Sequence, residues 1–132
     1  MNDGSFNLSR PCCGVASLAF ATEASFHAVW EWFATRNRRD GRWGGRTYAR
    51  DYGACARAFG KQLHRKHYDR MTLKKWVEWH CSPAKKYLVR VTGHVMYIED
   101  GLVTDQHNCC PVDEHWSRRK MVTHVWEVHE KG

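Results

Sequence analysis

Two turn signals in the middle of the chain constrain its fold more than any other feature. The segments KYLVRV (86–91) and HVMYIE (94–99) are rich in β-branched and aromatic residues, and a Thr-Gly pair separates them. Asp100 and Gly101 follow at once, and this dipeptide is a strong signal for a two-residue hairpin between paired strands. LVTD supplies the returning strand, so the sequence predicts an antiparallel sheet here.

The sequence before these strands has a helical pattern. Small and apolar residues run from Cys13 to Thr22, which is typical of a tightly packed, buried helix. Ser25 and Thr72 are predicted to cap a second helix, FHAVWEWFATR, and a fourth, LKKWVEWH, and Thr47 to cap a third between them. KQLHRKHYDR is an ambiguous polar segment that suits a short strand. QHNCCPVDEHWSRRK, after Asp105, is predicted to be a loop, and MVTHVWEV is the last predicted strand. Helices therefore precede antiparallel strands, which indicates an α+β fold.

Length and charge limit the number of domains and the kinds of partner that we expect for this chain. Its 132 residues are enough for one compact core, and we expect residues 1–132 to form one domain. No apolar run reaches the about 18 residues of a membrane-spanning helix, so no membrane contact is expected. MNDGSFNLSRP lacks the pattern of a signal peptide, which predicts a cytoplasmic location. The net charge of +7 favours acidic partners, nucleic acid included.

The six cysteines include two adjacent pairs, Cys12 with Cys13 and Cys109 with Cys110, which suit a disulfide framework poorly. Cys13 opens the first helix, where unpaired N–H groups and the helix dipole favour a thiolate. The first pair could supply a nucleophile, bind a metal or simply pack in the core. A zinc site would join both pairs with His107, but the usual spacing is absent and adjacent cysteines cannot easily reach one tetrahedral ion. Neither a metal nor another cofactor is therefore expected.

The hairpin register predicts a contact between a histidine and an aspartate. With the Asp-Gly pair as the loop, Met96 lies opposite Asp105. His94, two residues before Met96, shares that face and is diagonal to Asp105, close enough for the carboxylate to orient the imidazole. His107 would lie opposite His94 and competes for the same role. A thiol, a histidine and an orienting carboxylate are the groups that nucleophilic catalysis by cysteine requires.

Two segments resemble papain-like cysteine peptidases. CGVASLAFA, from Cys13, looks like the nucleophile helix of this superfamily, especially that of the double-glycine leader peptidases of bacteriocin exporters. YLVRVTGHVMYIEDGLVTD, which contains His94 and Asp105, is similar to a segment of small phage and bacterial papain-like proteins. The resemblance implies an α+β fold in which the N-terminal helices pack on a small antiparallel sheet. It also implies that Cys13 is the nucleophile, His94 the base and Asp105 the orienting residue.

The same resemblance implies a function. Leader peptidases place a glutamine six residues before the cysteine to help form the oxyanion hole, and Asn7 occupies that position here. The expected activity is that of a thiol hydrolase, a cysteine peptidase or related amide hydrolase, acting on a peptide, a protein or another acyl substrate. If the chain is phage-encoded, it would act in the host cytoplasm. Cys12 is the alternative nucleophile.

A rival hypothesis relies on the charge of the chain instead of its thiol. The protein would then be an inactive papain-like fold that acts as a basic nucleic-acid- or protein-binding module. The glycine-rich segment NRRDGRWGGR contains Arg38, Arg39 and Arg42, which are predicted to contact either weakly bound nucleic acid or an acidic peptide.

Overall fold

The computed structural model describes residues 12–37, 45–106 and 108–131, which contain four α-helices and six strands. The helices and strands are α1 (Cys13–Thr22), α2 (Phe26–Asn37), α3 (Tyr52–Ala58), β1 (Lys61–Lys66), α4 (Leu73–His80), β2 (Lys86–Val91), β3 (His94–Glu99), β4 (Leu102–Thr104), β5 (Cys109–Pro111) and β6 (Val122–Glu130). The strands form one antiparallel sheet in the order β1-β6-β2-β3-β4-β5. This confirms the α+β class. Among these helices, none has the length and apolar character needed to cross a membrane.

The two faces of the sheet pack against different helices. Because side chains alternate along a strand, Leu88 and Val95 lie in one core cluster with residues of α1, α2 and α3. Val89 and Met96 lie in the other cluster, with Trp76 of α4. All five side chains are buried. The central strands are therefore covered on both faces, which explains why β2 and β3 read as nearly continuous apolar runs.

Helix α1 is the central helix of its layer. It lies against β3 and also contacts α2 and α3, and eight of its ten residues are buried. A helix enclosed on so many sides does not show an amphipathic pattern. Its small residues allow close neighbours: a Cβ atom at Gly14 would lie only 1.9 Å from Oγ1 of Thr47. Glycine at this position therefore lets the segment before α3 approach the start of α1.

The caps of α2 and α4 agree with the sequence predictions. Oγ of Ser25 accepts a hydrogen bond from the backbone N–H of Ala28 at 3.0 Å. Oγ1 of Thr72 accepts one from the N–H of Lys75 at 3.3 Å. The ambiguous segment KQLHRKHYDR begins with β1, which pairs with β6, so the predicted short strand is confirmed.

Two local predictions were wrong. Thr47 does not cap α3, because a 3-10 turn precedes that helix and the Thr47 hydroxyl lies 3.0 Å from the hydroxyl of Tyr52 instead. The segment after Asp105 was predicted to be a loop, but it contains β5, in which Cys110 pairs with Val103 of β4. The sequence pattern did not reveal this strand, because it has only three residues and their partly or fully exposed side chains show no apolar alternation.

The Gly14→Ala substitution tests the close approach at the start of α1. The added methyl group would collide with Thr47. We expect a loss of about 1–3 kcal/mol in the free energy of unfolding, as is usual for overpacking, measured by urea denaturation. This loss should appear although alanine favours a helix by about 1 kcal/mol over glycine.

Gly53→Ala, in α3, is the matched control. A Cβ atom there meets only Nη1 of Arg57, at 3.5 Å, so helix propensity should leave the protein equally or more stable. Equal losses in the two variants would show that α1 does not depend on this approach.

Candidate active site

The β3–β4 hairpin brings His94 and Asp105 together. Glu99 pairs with Leu102 across a two-residue turn in which both residues have positive φ, 53° and 76°. Nε2 of His94 lies 2.6 Å from Oδ2 of Asp105. Their side chains are 9% and 0% exposed, so this hydrogen bond is shielded from water. The proximity predicted from the hairpin register is confirmed.

Cys13 reaches the same histidine from the start of α1. It is the first residue of the helix, is partly buried, and lines a cleft together with His94. Its thiol interacts electrostatically with the His94 imidazole and with the backbone of Val95 and Gly14, and these interactions lower its pKa. Because Nε2 of His94 faces Asp105, Nδ1 is the ring nitrogen that remains for the thiol.

The charges of Cys13 and His94 stabilise each other. Burial disfavours the thiolate, but the hydrogen bonds and the charge of His94 outweigh it, so the pKa of Cys13 is lowered from 9.0. Burial also disfavours the imidazolium, yet hydrogen bonds to Asp105 and Cys13 and the charges of both raise the pKa of His94 to about 9. Each charge therefore stabilises the other, and a thiolate beside an imidazolium is the form in which a cysteine acts as a nucleophile.

The neighbouring cysteine has a different environment. Cys12 is 0% exposed and belongs to the core cluster around α1. Its backbone N–H donates to Oε1 of Gln106 at 3.3 Å, which ties the start of α1 to the segment after β4. Cys55 is also buried, and burial raises its pKa to about 12. The geometry therefore favours Cys13 over Cys12 as the reactive thiol.

A second histidine, which the sequence analysis did not single out, bonds to the same carboxylate. Nε2 of His115 lies 2.8 Å from Oδ2 of Asp105. The backbone N–H of Ser117 donates to Nδ1 of His115 at 3.1 Å, so the ring proton is on Nε2 and points to Asp105. No local sequence signal marks His115, because β5 and a 3-10 turn separate it from the hairpin and only the fold brings it back.

The two histidines and Asp105 have the residue types of a metal site, and their ligand atoms all lie within 4.8 Å of one another. Zinc holds its ligands at about 2.0–2.2 Å, which places neighbouring ligand atoms roughly 3.3 Å apart or more. The N···O distances of 2.6 and 2.8 Å are those of direct hydrogen bonds instead. Among the described residues, no such cluster includes Cys109 or Cys110, which were considered as zinc ligands.

A cleft of about 330 Å³ opens beside Cys13 and His94. The imidazole is also covered by the half-exposed ring of Trp116, whose centroid lies 4.9 Å from that of His94. The remaining walls come from α1, from α3 and the segment before it, and from β2, β3 and the turn between them: Gly14, Arg46, Thr47, Tyr52, Arg90, Gly93 and Val95. The cleft therefore gives a substrate access to the thiol and places two arginines beside it.

Some residues of the predicted site lie outside the described ranges. These are the proposed oxyanion residue, the competing histidine and the three arginines of the glycine-rich segment: Asn7, His107, Arg38, Arg39 and Arg42. Their roles stay predictions.

Comparison with known proteins gives no relative: no family model, no curated protein and no solved structure matches this chain. The functional argument therefore rests on the residues and their geometry.

The pH dependence of alkylation tests the state of Cys13. We expect iodoacetamide to modify Cys13 with a midpoint below pH 9, because its thiolate is favoured, and the reactivity to be lost as the pH falls through that midpoint. In His94→Ala the midpoint should rise, since the imidazolium is gone. Peptide mass spectrometry at a series of pH values gives the rate at each cysteine.

The other thiols supply the controls for this measurement. Cys55 is buried and should stay unmodified, whereas Cys109 is exposed and gives the rate of an accessible thiol in the same sample. If Cys13 reacted no faster than Cys109 at neutral pH, the activated thiolate would be disproved.

The stability of His115→Ala tests the second histidine. Removal of its ring takes a donor from buried Asp105 and leaves a cavity, so we expect a loss of at least about 1–3 kcal/mol in the free energy of unfolding. His129→Ala is the control, because that side chain is 43% exposed and, near the end of β6, contacts the Glu127 carboxylate and the exposed ring of His64. The control should change stability by less than about 0.5 kcal/mol, and equal losses would contradict a special role for His115.

Proposed function

We propose that this protein is a papain-like thiol hydrolase in which Cys13, His94 and Asp105 act as a catalytic triad on a peptide or another amide or acyl substrate. One observation carries the proposal: Cys13 and His94 line the same solvent-open cleft, and Nε2 of His94 bonds to Asp105 behind it. A nucleophile, a base and a group that orients the base are the functional elements of this chemistry.

The order of the secondary structure supports the papain-like assignment. The cysteine is the first residue of a central helix, and the histidine is the first residue of a strand in an antiparallel sheet that packs on this helix. The aspartate follows the next strand. This is the arrangement that the sequence resemblance implies.

Acylation would begin with attack of the Cys13 thiolate on the substrate carbonyl carbon. A carbon–sulfur bond forms, and the carbonyl oxygen becomes an oxyanion. The His94 imidazolium then gives its proton to the leaving amine as the carbon–nitrogen bond breaks, which leaves a thioester and a neutral imidazole. Asp105 keeps the ring oriented through its hydrogen bond to Nε2.

Deacylation would use the same histidine in the opposite direction. Neutral His94 takes a proton from water as the water oxygen attacks the thioester carbonyl. The carbon–sulfur bond then breaks, the product leaves as a carboxylic acid, and the thiolate–imidazolium pair is restored. Each turnover therefore consumes one water and needs no other reagent.

The oxyanion would be stabilised at the start of α1. The N–H groups of the first helical turn have no acceptor within the helix, and that of Cys13 lies beside the reacting sulfur. Asn7 is proposed as the second donor.

The rival function, nucleic-acid binding by a basic module, has one observation in its favour. Trp79 of α4 is 66% exposed, and Nζ of Lys75 lies 4.6 Å from the centre of its ring. An exposed aromatic ring beside a cation can stack with a base. This function would not depend on Cys13, so substitution of the nucleophile separates the two candidates.

Variants of the triad test the proposed hydrolase. With a thiol-directed electrophilic peptide probe and a peptide library as substrates, Cys13→Ala should remove labelling and hydrolysis. His94→Ala should lower the rate by about 10³-fold or more, and Asp105→Asn by less, since it only orients the base.

Cys12→Ala is the matched control, because its side chain lies in the core and it should keep both labelling and hydrolysis. Unchanged labelling after His94→Ala would show that Cys13 is merely an accessible thiol.

A further inference from the structure

Positive charge is concentrated on the strands that form one side of the cleft. Arg90 of β2 lines the cleft together with Cys13. His124 of β6 is paired with Arg90, and Arg65 of β1 is paired with Trp126, two residues further along β6. The Arg65 guanidinium lies 5.8 Å from the centre of the Trp126 ring, and the His124 ring stacks on the same indole at 5.3 Å. We call Arg65 and Arg90 the cationic cluster.

Tyr52 connects the cationic cluster to the nucleophile. Its ring packs edge-on against Trp126 at 5.4 Å, and it lines the cleft with Cys13 and Arg90. Its hydroxyl lies 3.0 Å from that of Thr47, another residue of the cleft wall. Tyr52 and Trp126 are buried, so they link Arg65 to the cleft wall through the core, and Arg90 is the residue of the cluster that lines the cleft itself.

The cationic cluster has no ion-pair partner among the described residues, although Asp69 lines a pocket together with Arg65. In the part of the chain that the structure describes, no ion pair includes Arg65 or Arg90. Glu127 follows Trp126 on β6, but alternation places it on the other face, where it pairs with lysines. Burial and then the charges of the two arginines lower the pKa of His124. A carboxylate placed among these groups would relieve their mutual repulsion.

We propose that Arg90 of the cationic cluster forms an anionic-substrate subsite, and that the substrate carries a carboxylate, the acidic side chain of a peptide, close to the scissile bond. This inference rests on the proposed function, since it concerns the same cleft. Arginine suits the role because its guanidinium can donate two parallel hydrogen bonds to one carboxylate. A positively charged cleft also speeds the approach of an anionic substrate.

Iodoacetate and iodoacetamide form a matched pair of probes for this subsite. Both alkylate a thiolate with loss of iodide, and they differ in one negative charge. We expect the ratio of the iodoacetate rate to the iodoacetamide rate to be higher at Cys13 than at exposed Cys109. Because the His94 imidazolium also attracts an anion, the decisive comparison is Arg90→Gln, which should lower the ratio at Cys13 about three- to tenfold. Because both rates are measured at the same thiol, a general loss of Cys13 reactivity in a variant leaves their ratio unchanged.

Two further variants control for net charge. Arg70→Gln removes the same charge at an exposed position outside the cleft wall and should leave the ratio unchanged. Arg90→Lys keeps the charge and should retain most of the preference at low salt. If Arg90→Gln lowered the ratio no more than Arg70→Gln, the subsite would be disproved.

Peptide probes identify the source of the carboxylate. Two electrophilic peptides that differ only in Glu or Gln beside the reactive carbonyl should label wild-type Cys13 at different rates, with Glu preferred, and Arg90→Gln should lose this preference. Equal labelling by both peptides would overturn the acidic-peptide assignment. The assignment would also be overturned if Arg90→Gln lost affinity for a fluorescent single-stranded RNA but kept the peptide preference. The cluster would then bind nucleic acid. Failure of the hydrolase itself gives a different result, namely hydrolysis that survives Cys13→Ala.

Discussion

The Asp105 carboxylate is the point on which the candidate active site depends. It accepts hydrogen bonds from at least three groups: Nε2 of His94, Nε2 of His115 and the backbone N–H of Asn108, at 2.6, 2.8 and 2.8 Å. These donors come from β3, from the segment after β5 and from the loop between β4 and β5. A buried carboxylate without such donors would be strongly unfavourable. The folding of three separate segments is therefore tied to the formation of the site, and the site in turn holds His94 toward the cleft.

The local parts of this arrangement could be predicted from the sequence, and the long-range parts could not. The register of the hairpin follows from a two-residue turn, so the contact between His94 and Asp105 followed from counting residues. The contact of His115 depends on a chain reversal through β5, a strand of three residues with no apolar alternation to reveal it. The prediction that Thr47 caps α3 was wrong for a similar reason. A side-chain contact decided its role, because its hydroxyl bonds to that of Tyr52 instead of to the helix backbone.

The different environments of the two adjacent cysteines were also beyond the sequence. Cys12 and Cys13 have the same side chain and are adjacent in sequence, and the preference for Cys13 depended on the family resemblance. Their environments differ because Cys12 precedes the helix and packs into the core, whereas the next residue turns toward the cleft. The bond from the Cys12 N–H to Gln106 fixes this rotation, since it anchors the start of α1 to the segment that also contains Asp105. Packing, and not local propensity, therefore decides which thiol meets His94.

Positive charge has two proposed roles in the cleft, stabilisation of the Cys13 thiolate and binding of a substrate carboxylate, and different residues supply it for each role. The pKa of Cys13 is set by burial, by His94 and by backbone N–H groups, whereas the arginine at position 90 acts on Tyr52 and His124. If a single cation served both tasks, a bound carboxylate would neutralise the charge that keeps the thiolate ionised. With His94 beside the sulfur and Arg90 on the neighbouring strand, the proposed substrate carboxylate would be held without loss of the proposed thiolate–imidazolium pair. This separation is the physical reason why one small cleft could both activate a thiolate and select an acidic substrate.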